Sequence, residues 1–218
     1  MVQKTKTPPA AVKPAAEPKR RGRPRTYAPE VALGQALALF RKDGFAATSL
    51  DDLSAATGMN RPSLYGAFGD KRELYIKTYR RYRDDYGAQL VEIFKADLPL
   101  RKRLARIYDV ALEIYLFGGE APRGCFTVMT VASDAIADPE VQALVQESIA
   151  ELDKAFAWCF RDAAKKDELP KSADIAALSQ MASATLYSLA IRARAGIPRQ
   201  QLEAIVKHAV DILCRDAA

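Results

Sequence analysis

Arg61, Ser63 and Tyr65 are of the residue types that recognise nucleic acid, and their spacing puts them on one side of a short helix. In residues 60–69, NRPSLYGAFG, Leu64 and Phe68 lie four apart and share the opposite, apolar face. A short helix held by its apolar back, with Arg, Ser and Tyr outward, is what a major-groove reader needs. Asn60 can cap this helix, and Pro62 falls in its first turn, where a missing N–H costs little. Just upstream, Thr48 or Ser49 can cap a helix carrying Leu50, Leu53 and Ala56 on one face. Asp51 and Asp52 sit in its first turn, where the helix dipole favours acids, and Gly58 can end it in the left-handed conformation. On spacing alone the pattern also fits a plain helical hairpin with a solvated polar face.

Cys125 is the other candidate for chemistry. It follows Arg123 and Gly124 and precedes a short apolar run. A thiol at a helix start near a guanidinium is expected to shift towards thiolate and become reactive. The competing reading is an inert cysteine packed as a small hydrophobe. A Cys nucleophile would need a base, and the single histidine, His208, lies on the flank of the last helix with no Asn or Asp orienter in its sequence context. Enzymatic activity is therefore not expected. Cys125, Cys159 and Cys214 are an odd number at wide spacings, which argues against a disulfide framework or a zinc site. With no Gly-rich phosphate loop and no paired His, neither cofactor nor metal is expected.

Residues 48–74 closely resemble the helix-turn-helix of TetR/AcrR-type transcriptional regulators. That family's pattern runs Thr, a short helix, Gly, a recognition helix ending Leu-Tyr-x-x-Phe, then Lys-x-x-Leu. Thr48, Gly58, Leu64, Tyr65, Phe68, Lys71 and Leu74 stand at the matching places, and the match is dense over residues 27–75. Pro62 stands where many members have Gly, and Ala67 where many have an aromatic residue or His. The resemblance implies that Arg61 and Ser63 read base edges of a double-stranded DNA operator while Thr48, Tyr65 and Lys71 hold phosphates, with Ser49 and Pro62 part of the same contact region. It also implies a homodimer paired through the last two helices, at about residues 172–195 and 198–214. Some relatives with a similar Arg-Gly-Cys segment respond to oxidants or electrophiles, which extends the reactive reading of Cys125.

Charge is concentrated at the start of the chain. The first 27 residues carry eight Lys and Arg against the single acid Glu17, a net +7 in a chain of total +6, so the remainder is close to neutral at −1. Such a basic, Pro- and Ala-rich arm cannot bury enough surface to fold alone. It will neutralise phosphates and make affinity strongly salt-dependent. Its centre, Arg21-Gly22-Arg23-Pro24-Arg25, resembles an AT-hook, in which Gly permits close approach and Arg enters an A·T-rich minor groove. The plainer alternative is a tail that touches phosphates only.

The rest of the sequence reads as an all-α scaffold for these sites. Helical periodicity recurs throughout, and no stretch alternates convincingly as a strand. The expected organisation is a basic arm over 1–26, a helix-turn-helix domain over 27–87, and an effector-binding and dimerisation domain over 88–218. Tyr75, Tyr79, Tyr82, Tyr86, Leu90 and Ile93 form a stripe on a long fourth helix, expected to be core that packs the small domain on the larger one. Ser172 is the expected cap of the penultimate helix. Ala176, Ala177, Met181, Ala184 and Leu186, with Leu202, Ile205, Val206, Ala209 and Leu213, make the broad apolar surfaces for pairing. Tyr108, Tyr115, Cys125, Phe126, Met129 and Phe156 are candidates to line a small-molecule effector pocket, though at helical spacing they also read as core. No signal peptide or membrane-length apolar run is visible, so a cytoplasmic location is expected. The function expected is a ligand-responsive transcriptional regulator, a repressor released by a small molecule or by thiol modification. The alternative is an architectural DNA binder without an effector.

Overall fold

A computed structural model describes residues 28–117 and 124–215. Arg21, Arg23 and Arg25 of the basic arm, and Arg123 before Cys125, lie outside the described residues. Among the described residues there are nine α-helices, one 3-10 turn (Asp134–Ala137) and no strand. The helices are α1 (Pro29–Ala47), α2 (Leu50–Thr57), α3 (Arg61–Phe68), α4 (Lys71–Lys95), α5 (Leu100–Leu116), α6 (Phe126–Val131), α7 (Pro139–Lys165), α8 (Ile175–Arg194) and α9 (Arg199–Leu213). No described helix is long and apolar enough to cross a membrane.

Most starts are written locally. Ser49 and Asp52 form a reciprocal capping box at α2, and Asp70 with Glu73 does the same at α4. Asn60 accepts from the Ser63 N–H at α3, and Asp138 accepts from the Glu140 and Val141 N–H groups at α7. The cap of α8 is Asp174, which accepts from the Ala176 and Ala177 N–H groups, rather than Ser172. Asp174 sits immediately before the first helical residue, where a short carboxylate reaches the second and third N–H groups. Within α1, Gly44 adopts φ 83°, so the helix breaks there. Gly58, at φ 66°, makes the turn between α2 and α3.

α1 packs on α2 and α4, and α3 closes the small module against α4. Beyond it α5, α7, α8 and α9 pack on one another, and α6 lies between α1, α4 and α7. The buried residues form one continuous core through both parts. α4 runs through residue 87 without a break and serves both. Its tyrosine stripe docks α6: Tyr75 and Tyr79 hydrogen bond Thr130 and Thr127, and Tyr75, Tyr79 and Tyr82 surround the Phe126 ring at 5.3–5.8 Å.

Candidate nucleic-acid interface and its connected cavity

α3 is seated by Leu64 and Phe68, both buried, and by Met59 at its entry. That seating turns Arg61, Pro62 and Tyr65 outward; all three are exposed, and Ser63 is half-buried. In the free protein Arg61 is held by Asp51 of α2, with Nε and Nη2 donating to the two carboxylate oxygens at 3.0 and 2.7 Å. Lys77 donates to the Phe68 carbonyl at 2.6 Å, closing the C-terminal end of α3 with a cation where the dipole favours one.

The expected phosphate contacts are placed unevenly. Lys71 lies at the first position of α4, its ammonium 4.5 Å from the centre of the Phe45 ring, and partial burial lowers its pKa. Ser49 is exposed, but its hydroxyl is engaged with Asp52, and the Ser49 bonds hold that carboxyl below its usual range. Thr48 is only 1% exposed, and its hydroxyl donates to the Gly44 carbonyl at 2.6 Å. In this arrangement the hydroxyl proton is committed to closing the turn that Gly44 opens.

Behind this module, a 320 Å³ cavity lies between α4, α5, α7 and α8. Of the residues expected to line it, Tyr115 and Cys125 do. Tyr108, Phe126 and Phe156 do not. Each is 0% exposed: Tyr108 donates to the Ala182 carbonyl, Phe126 is enclosed by the α4 tyrosines, and Phe156 meets Phe94 edge-on and stacks against Phe160. Met129 lines a separate cleft near the end of α8, which Cys125 also borders. The residues missed are chiefly on α4: Tyr82, Tyr86, Gly87 and Leu90, joined by Tyr187 of α8. Their signal was the α4 tyrosine stripe, whose upper half faces space rather than solid core.

Cys125 is buried, and the Tyr82 hydroxyl donates to its sulfur at 3.4 Å. His208 is on the exposed side of α9 near Asp211, and no hydrogen bond joins it to Cys125. Burial pushes the Cys159 thiol up to about 11, so it stays protonated.

The profile of bacterial regulatory proteins of the tetR family matches residues 32–78. Over longer spans the chain is 27% identical to the HTH-type transcriptional repressor ComR of Escherichia coli K12 across 185 residues, 84% of this chain and 88% of that one. A Rhodococcus sp. RHA1 protein assigned as a TetR transcriptional regulator is 32% identical, with 85% of this chain and 99% of that chain covered and a TM-score of 0.59. A cysteine mutant of the regulator CifR, in complex with 26-bp operator DNA, superposes with a TM-score of 0.77 at 26% identity, covering 87% of this chain and 98% of that chain.

Proposed function

The chain belongs to the TetR family and is a DNA-binding transcriptional regulator, and from that premise we propose that it is a repressor released from its operator by an effector bound in the α4–α8 cavity. The observation that carries this reading is that α4 serves both sites. Its first turn abuts α3, and its middle supplies Tyr82, Tyr86 and Leu90 to the cavity wall. An effector that alters α4 changes where the recognition helix sits. It must favour the DNA-incompetent arrangement, because equal affinity for both states shifts nothing.

At the operator, Arg61 and Ser63 read base edges and Tyr65 and Lys71 hold phosphates, with the basic arm around Arg21, Arg23 and Arg25 adding attraction to the backbone. The test begins by selecting bound fragments from genomic DNA with the full chain. Arg61→Ala should then relax preference at one base pair and cost about 1–3 kcal/mol there. An unchanged profile across operator variants would remove Arg61 from the base-reading role.

A second reading has thiol modification as the trigger, favoured by Cys125 lying on the cavity wall. One measurement separates the two: release of a labelled operator by an unreactive ligand in wild type and in Cys125→Ser. Release that persists in the variant supports a reversibly bound effector. Release that needs a thiol reagent and vanishes in Cys125→Ser supports the cysteine.

A further inference from the structure

The two buried arginines among the described residues are matched very differently. Arg103, 0% exposed, donates to the Asp162 carboxylate at 2.7 Å and to the Leu98 carbonyl at 2.9 Å, so its charge meets a charge. Arg41, 3% exposed, meets no carboxylate among the described residues. Its Nη1 donates to the Tyr86 hydroxyl at 3.0 Å, and Nη2 donates to the Gly124 and Ile114 carbonyls at 3.0 and 3.4 Å. The guanidinium carbon lies 5.3 and 5.6 Å from the Tyr82 and Tyr86 ring centres, and Nε has no acceptor. Ring faces and carbonyl dipoles offset part of the cost of burying a cation, but an unpaired donor on it leaves the rest standing.

The groups around Arg41 are also the cavity's. Tyr82, Tyr86 and Ile114 line it, as does Cys125 next to Gly124. At about 30 Å³ per water, 320 Å³ is room for roughly ten heavy atoms. Arg41 stands directly behind this wall, and the charged residues of the wall itself are spoken for or at the surface: Arg83 pairs with Glu147 at 2.6 Å, and Glu151 is exposed. Burial holds the Tyr82 and Tyr115 hydroxyls well above the usual tyrosine value, so they remain protonated donors.

Resting on the reading of the cavity as the effector site, we propose that the effector is a small organic anion, an apolar body of roughly eight carbons bearing a carboxylate that Arg41 receives. Arg41 is carried by α1, inside the DNA-binding module. Arg194 of α8 donates to the Arg41 and Lys42 carbonyls at 3.2 and 3.3 Å, so α1 is held at that point from the larger part. A carboxylate that meets the open Nε and the neighbouring Nη2 competes with the bonds to the Gly124 and Ile114 carbonyls. The ligand's charge then acts on α1 directly, alongside any movement of α4.

The test uses the full chain and a neutral fluorescent probe small enough for the cavity, 1-naphthylamine, displaced in turn by octanoate, octanol and octylamine. Gly87→Met serves as a blocked cavity, since a Cβ at Gly87 meets nothing within 4 Å and the longer side chain fills the space. Octanoate should displace the probe at concentrations about tenfold or more below octanol, with octylamine weakest. In Arg41→Met that preference should vanish while octanol is unaffected, and Arg41→Lys should keep part of it. Equal displacement by octanoate and octanol in wild type overturns the anionic effector without needing any variant. A preference that survives in Arg41→Met overturns the role of Arg41 and leaves it a tie between α1 and the α5–α6 turn. Should the probe bind Gly87→Met as well as wild type, the cavity itself fails as a ligand site, and the proposal falls with it.

Discussion

A hydroxyl whose proton is already committed has little to give a phosphate. Thr48 donates to the Gly44 carbonyl in a position almost closed to solvent. Thr48→Val keeps the shape and removes the donor, which leaves a carbonyl short of a partner and should cost about 1–3 kcal/mol in denaturant unfolding. Operator affinity of the folded variant, and its dependence on salt, should change little. Lys71→Ala should do the reverse, weakening every sequence alike and reducing the salt slope by about 0.9, the share of one neutralised phosphate. A Thr48→Val protein of unchanged stability with a shallower slope would restore the hydroxyl to the DNA. The Thr48 type and spacing are those of a helix cap, and Ser49 is the residue that caps. Sequence spacing could name both candidates but not choose between neighbours, because the choice depends on the break at Gly44.

At the scale of elements, α4 is fastened at its start as well as along its stripe. Arg72 pairs with Asp138 and, at 3.0 Å, with Glu140, tying the first turn of α4 to the first turn of α7. The Arg72 bond holds the Asp138 carboxyl at about 2, well below the usual aspartate value near 3.9. A carboxyl depressed in the folded state adds stability above its unfolded pKa and loses it as pH falls through the folded one. Wild type should therefore exceed Asp138→Asn in urea stability at pH 7, with the gap narrowing from about pH 4 towards pH 2. Asn can still cap α7, so a gap that is constant with pH would assign the difference to something other than this ion pair. The helices themselves were legible, because caps, prolines and glycines are local signals. The cavity was not. Periodicity reports which side of α4 turns inward, and it cannot report that Tyr75 meets solid packing while Tyr86 meets space. The same limit turned Phe126 and Phe156, fully enclosed, into pocket candidates.

For the whole molecule, burial sorts the apolar surface that sequence pattern left undivided. Leu186, Leu202 and Leu213 are at most 4% exposed and belong to the subunit's own core. Met181, Ile191 and Ile212 remain about 60% exposed on α8 and α9, with Ala177 and Ala184 also at the surface. Small residues beside exposed large ones let helices approach closely, which suits a two-fold pairing of α8 and α9 with their copies. Such a dimer presents two α3 helices to successive half-sites, and each protomer alone offers a recognition helix of only eight residues. Met181→Asp combined with Ile212→Asp places like charges across that face without touching the core. The variant should keep its helical circular dichroism, sediment as a monomer, and lose most operator affinity, since the second half-site no longer adds to the first. A protein that still sediments as a dimer would move the interface elsewhere on the surface. A folded monomer that holds the operator undiminished would make pairing irrelevant to DNA reading.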